Sequence, residues 1–260
     1  MERYFATTHW TMVLSALKRG ENIVSGTEAE SAFEVLCQTY YEPVLRFIER
    51  TVSSSRRAFG HREARDITHD FFVRVLQGLE FRHLQRDRGR FRSYLLGAVK
   101  YFLADLRTSE QTQKRGGCET IISLEDEEIP SQNGLADTIF DRDWAETIVN
   151  NAIADLRKNA VASGSVSQFE VLRFWLTGDH GNREQAIEQL GVSAEYFKVI
   201  VSRIRKKFRE NVRNQIAQTV EHESEIGAEL DHLIRSLGTA HNEPHQNEPH
   251  VLKDREFDSR

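Results

Sequence analysis

Proline is scarce in this sequence, at four residues in 260, and glycine is modest at fifteen. With so few breakers, long stretches are free to run as helix. Cysteine is scarcer still. Cys37 and Cys118 stand far apart and form no CxxC pair. That argues against a disulfide framework or a cysteine zinc site and fits a reducing cytoplasm. No apolar run is long enough to span a bilayer, and the first residues, MERYFATTHW, lack the apolar core of a signal peptide. The expectation is a mostly helical protein of the cytoplasm, with no membrane segment.

Charge is plentiful but unevenly placed. The net charge is −5, yet residues 85–115 hold eight Lys/Arg against three Asp/Glu, and residues 198–213 hold seven against one. Between them, residues 119–146 carry nine acids and one base, and residues 221–231 carry five acids with no Lys or Arg. Two basic blocks flanking an acidic connector suggest two surfaces for a polyanion. The plainer alternative is that each block is a solvated face.

Apolar residues recur at helical spacing along most of the chain. The pattern predicts helices over about 8–19, 29–52 with a kink at Pro43, 62–79 and 91–108, which together make one helical domain. Residues 109–142 lose the period and read as an acidic flexible linker. Order returns at Trp144, and the stripe Ile226, Leu230, Leu233, Leu237 extends helix to about 237. The tail from 238 reads as disordered. Its histidines His241, His245 and His250 have no spacing that fits a structured metal site. The fold class expected is all-α, with the boundaries 1–28, 29–108, 109–142, 143–213, 214–237 and 238–260.

Residues 182–210, NREQAIEQLGVSAEYFKVIVSRIRKKFRE, read as helix-turn-helix. Asn182 can cap the first helix, Gly191 can end it in the left-handed conformation, and Ser193 can cap the second. The second helix turns Phe197, Ile200, Val201, Ile204 and Phe208 toward a core. Lys198, Ser202, Arg203, Arg205, Lys206 and Arg209 fall largely on the other side, as docking in a major groove needs. A basic helical hairpin with no DNA role has the same pattern. In ARDITHDFFVRVL (64–76), Asp66 and Asp70 share a helical face with His69 beside them. That set admits a metal-dependent phosphohydrolase, a surface face paired with Arg62 or Arg74, or a docking face for a protein.

ARDITHDFFVRVL followed by RGRFRSYLLGAVKYFLADL resembles region 2 of bacterial RNA polymerase sigma factors, and 182–210 resembles their region 4. The pair, with no intermediate domain, is similar to the extracytoplasmic-function (ECF) group of the sigma-70 family. TTHWTMVLSA and FRSYLLGAVKYFLAD resemble a planctomycete-type subgroup. Ile187 departs from the pattern, standing where such turn motifs carry a small residue, and Tyr196 and Phe197 are bulkier than usual there.

The resemblance implies a subunit with no cofactor and no catalysis of its own. Its partners would be core RNA polymerase, through the clamp of the largest subunit and the flap, then promoter DNA, and an anti-sigma factor as a further one. Asp66, Asp70, Phe71 and Arg74 match the clamp-docking motif. The stretch 80–94 matches the part that captures the non-template strand of the −10 element. There Arg86, Arg88, Arg90 and Arg92 would supply charge, and Phe81, Phe91 and Tyr94 faces for extruded bases. Phe91 equally suits a core position. On the helix matching the −35 reader, Arg203 and Lys206 would grip phosphate, with Arg205 and Arg209 beside them. Lys198 and Ser202 would meet base edges. A helix-turn-helix regulator acting alone is the rival, and it leaves the arginine stretch and the Asp66/Asp70 face unexplained. The helix at 214–237 lies beyond the usual end of the family and is expected to pack on the promoter-reading domain.

Overall fold

The helical periods of the sequence become nine α-helices in the computed structural model, which describes residues 9–18, 28–55, 59, 62–76, 90–114, 133–177 and 181–238. They are α1 (His9–Lys18), α2 (Glu28–Ser54), α3 (Ala64–Leu76), α4 (Phe91–Lys114), α5 (Asn133–Ala162), α6 (Val166–Leu172), α7 (Arg183–Leu190), α8 (Ala194–Ala217) and α9 (Glu225–Gly238), with a 3₁₀ turn at Arg173–Trp175. No strand occurs among the described residues, only a single antiparallel bridge between Arg90 and Val220. The chain is all-α.

Pro43, where a kink is expected, is buried within α2, which runs as helix on both sides of it from Glu28 to Ser54. A proline's ring fits the helical φ, and the loss is confined to one hydrogen bond and local crowding, which packing can offset. On one side of this helix lies α1, and α3 and α5 also pack on it. Phe33, Leu36, Tyr40, Val44, Phe47 and Ile48 recur along α2 and are all buried in one cluster with Ile67, Phe71, Leu95 and Phe102.

The same cluster contains Phe140, Trp144, Ile148, Val212, Ile216, Ile226 and Leu233, from α5, α8 and α9. This corrects the expected linker. Residues 109–114 and 133–142 are helix, and 115–132 lie outside the described residues. Phe140 is fully buried, with its ring 6.0 Å from Phe47. The nearby acids are held by bases: Lys100 donates to Asp137 at 2.7 Å, and Arg46 and Arg50 to Asp143 at 3.1 and 2.8 Å. Composition suggested a solvated tether, but an aromatic anchor and paired carboxylates dock this stretch as helix.

The α5 helix therefore serves two cores. Its early turns belong to the large cluster. Its later residues Leu156 and Ala160 pack with Phe169, and against Ile204 and Phe208 of α8. It ends where Gly164 takes φ +68° and the Ser165 amide reaches back to the Ala160 carbonyl at 2.8 Å. A third cluster, Leu172, Trp175, Ala186, Phe197, Ile200 and Val201, holds α6, α7 and α8 together.

Helix was expected to run unbroken through 214–237. Instead α8 ends at Ala217, and α9 starts at Glu225. The turn between them is set by side chain and backbone: the Glu225 carboxylate accepts from the amides of Glu221 and His222 at 3.2 and 3.0 Å, which caps α9. The residues past α8 do not sit on the helix-turn-helix core. They pack on α5 and the late turns of α8. The tail from 239, with His241, His245 and His250, lies outside the described residues.

Candidate functional site

The acidic face of α3 is on the surface. Asp66, His69 and Asp70 are exposed, and Asp70 is paired with Arg62. Phe71 is fully buried, with its ring 5.5 Å from that of Phe102, so it backs the face and does not form it. Arg74 turns toward α4, where it donates to Asp105 at 2.9 Å and lies over the Phe102 ring. No group of three His, Cys, Asp or Glu able to hold a metal occurs among the described residues.

The arginine stretch divides. Phe81, Arg86 and Arg88 lie outside the described residues. Of the other four candidates, Phe91, Arg92 and Tyr94 are buried and Arg90 is half-buried. The Phe91 side chain is fully buried, its ring centroid 4.8 Å from Tyr40 and 5.0 Å from Trp10. Tyr94 is buried beside Trp10, 5.2 Å between centroids. Neither ring can stack on a base in this arrangement.

Arg92 has only 7% of its surface exposed. Its Nε donates to Oε1 of Glu229 at 2.9 Å, its other arm pairs with Asp141, and its guanidinium lies over the Trp144 ring at 5.1 Å. Arg90 reaches the second Glu229 oxygen at 3.1 Å. Glu229 itself is fully buried, and His232 Nε2 sits 3.0 Å from the remaining oxygen of Asp141. Burial works against the Arg92 charge, but Glu229 and Asp141 outweigh it and hold the guanidinium above its ordinary pKa. Such a buried set is tolerable only while each charge keeps its partner.

Backbone contacts reinforce the closure. The Phe91 amide donates to the Thr219 carbonyl at 2.9 Å, and the Trp10 amide to the Gln218 carbonyl at 3.1 Å. The start of α4 is thus covered by the turn after α8 and by α9.

The helix-turn-helix is built by its caps. Asn182 Oδ1 accepts from the amides of Glu184 and Gln185 at 3.0 and 3.1 Å. Gly191 ends α7 at φ 62°, ψ 37°. Ser193 Oγ accepts from the Tyr196 amide at 3.2 Å. Phe197, Ile200 and Val201 turn inward, and Lys198, Ser202, Arg203, Lys206 and Arg209 are exposed. Lys206 is 4.0 Å from Glu210. Arg205 departs from the expectation: its Nε donates to the Trp175 carbonyl at 2.8 Å, so it ties α8 to the 3₁₀ turn. The departure at Ile187 is accommodated one position earlier, because Ala186 is the small residue buried in this cluster. Tyr196, bulky for its position, is exposed and belongs to none of the buried clusters.

Three residues of the first turns of α8 escaped a search led by basic charge. Glu195, Tyr196 and Val199 are exposed on the same end of the helix as Lys198 and Ser202. Their position, not their charge, is the signal, since a recognition helix presents its N-terminal residues to base edges. The sequence search also missed Glu229, whose two arginine partners lie in another part of the chain.

Comparison with known proteins gives one finding. The family model described as ECF sigma factor matches residues 10–214, most of the chain. No curated protein and no solved structure matches.

Proposed function

The chain belongs to the ECF sigma factor family, and on that premise we propose that it brings core RNA polymerase to a chosen set of promoters and helps to melt them. It is an RNA polymerase sigma factor of transcription initiation, a binding protein for core polymerase and promoter DNA, and not an enzyme. No helix among the described residues is long and apolar enough to cross a membrane. In our reading it works in the cytoplasm with the polymerase.

The division of labour follows the chemistry of the surfaces. The exposed carboxylates of α3 suit a basic docking partner, the clamp of the largest subunit, and the unit carrying α7 and α8 would meet the flap. The observation that carries the promoter reading is the outer face of α8. It is capped at its N-terminus, carries Lys198, Ser202, Arg203, Lys206 and Arg209 exposed, and presents Glu195, Tyr196 and Val199 at its leading end. Phosphate contacts by the later basic residues would fix register, and the leading residues would read base edges. The arginine stretch ahead of α4 would take the melted strand, with an anti-sigma factor as a regulator able to cover either surface.

The test is binding of the purified full chain to core RNA polymerase, with Asp66→Arg/Asp70→Arg as the comparison. Both side chains are exposed, so the double variant should fold. Tight binding by the wild type and its loss in the variant supports the reading and the docking face. A folded wild type that ignores core polymerase but binds duplex DNA would instead favour a regulator acting alone.

A further inference from the structure

The family match ends at residue 214, and the segment that follows lies on the residues assigned above to melted DNA. Val220 bridges Arg90, Thr219 accepts the Phe91 amide proton, and Glu229 takes Arg92 at 2.9 Å and Arg90 at 3.1 Å. A carboxylate that pairs with two guanidiniums offers them the same kind of anionic oxygen acceptor as a phosphodiester. We propose that Gln218–Gly238 is a built-in competitor of single-stranded promoter DNA, with Glu229 holding two strand-capturing arginines in the free factor.

This inference rests on the sigma-factor reading of the start of α4. Arg92 cannot bind phosphate while Glu229 and Asp141 enclose it, half-buried Arg90 has one arm on Glu229, and Phe91 and Tyr94 cannot offer a ring face while they are buried. Nor can Glu229 step aside alone, because it has no exposure and sits on α9 between Ile226 and Leu233, both in the core. Release therefore moves α9 as a unit. A departing Glu229 would leave Arg90 and Arg92 without their main acceptor, and nucleic-acid phosphate would supply one in exchange. Asp141 on α5 stays behind to orient Arg92. The competitor is thus matched to its rival in charge and is displaced only when a polyanion is delivered to the same arginines.

Glu229→Gln keeps the shape of the side chain and removes its charge. The experiment compares the full-length wild type with Glu229→Gln, using anisotropy of a fluorescein-labelled, mixed-sequence single-stranded 20-mer at low salt. The variant should bind about tenfold more tightly, the scale of one charge-assisted pair removed. A folded variant with wild-type affinity overturns the proposal. Hydrogen exchange on the wild type gives a measurement that needs no variant. The Phe91 amide and α9 should be protected in the free factor and lose protection when the polymerase–promoter complex opens. Protection retained in the open complex also overturns it. Core-polymerase binding is measured on the same samples. A wild type that fails to bind removes the sigma reading together with this inference. Binding with no change in DNA affinity or exchange removes the inference alone.

Discussion

The indole N–H of Trp144 donates to the hydroxyl of Tyr40 at 3.0 Å, between two side chains with no exposure to solvent. This bond joins the Arg46 and Arg50 pairs with Asp143 in tying α5 to α2. Burial above all, with the nearby Glu229 charge, pushes the Tyr40 phenol well above its ordinary pKa, so it stays a neutral acceptor and donor. Tyr40→Phe strands the Trp144 N–H in an apolar core. The expected loss is about 1–3 kcal/mol. Urea unfolding should show a lower midpoint with an unchanged slope. An unaltered midpoint would mean that the bond contributes nothing to the docking of α5.

The turn of the helix-turn-helix depends on Gly191, at φ 62°. A β-carbon there meets no atom within 4 Å, so the penalty of a substitution is conformational and not steric contact with neighbours. Gly191→Ala should lose about 1–2 kcal/mol, the strain of a left-handed L-residue. Gly191→Asn should lose less, because asparagine visits that region more readily. Ser193→Ala, which removes the cap of α8, should lose about 1 kcal/mol. Denaturant melts of the three variants give the order directly.

On the proposed reading of α8, phosphate grip and base reading separate by salt. Arg203→Ala and Lys206→Ala should each lower the slope of log affinity against log salt by about 0.9 and weaken all promoters alike. Glu195→Ala should leave the slope alone and change the preference at one base pair by about 1–3 kcal/mol. Titration of the holoenzyme on promoter duplexes over a salt series, with single base-pair changes, tests both. A salt slope unchanged in the two basic variants would remove α8 as the phosphate-binding element.

Burial and the neighbouring Glu34 push the Cys37 thiol far above its ordinary range. Only a thiolate attacks a disulfide reagent. In a Cys118→Ser background the native protein should stay unlabelled at pH 8 over the time in which the denatured chain reacts fully. Prompt labelling of the native protein would contradict the packing of α2.

Local signals made the helix-turn-helix readable in advance. Asn182, Gly191 and Ser193 act on backbone within three residues, so their chemistry is visible in a short window. Arg205 was misread because its acceptor, the Trp175 carbonyl, belongs to another element. The larger surprise has the same cause. Arg90 and Arg92 flank Phe91 at the start of α4, in a stretch that looks made for a polyanion, and nothing within their window reveals Glu229. The acidic stretch 133–142 reads as part of a linker from its lost period and its composition. Its helix is docked by Phe140 and by pairs with Lys100 and Arg92. Charge in a sequence reports what a residue can pair with, and only the fold decides whether the partner is a ligand or the chain itself.

Trp144 lies beneath Arg92, bonds Tyr40, and has its ring centroid 5.9 Å from that of His232 on α9. Trp10 touches Phe91 and Tyr94 and is hydrogen-bonded through its amide to Gln218. Two of the three tryptophans thus border the junction between α4 and the C-terminal segment, and Trp175 lies in the separate core of the helix-turn-helix. The protein carries its own optical gauge. Lifting α9 would bring water to the Trp144 indole and shift its emission to the red, so opening can be timed by stopped-flow fluorescence without attaching a dye.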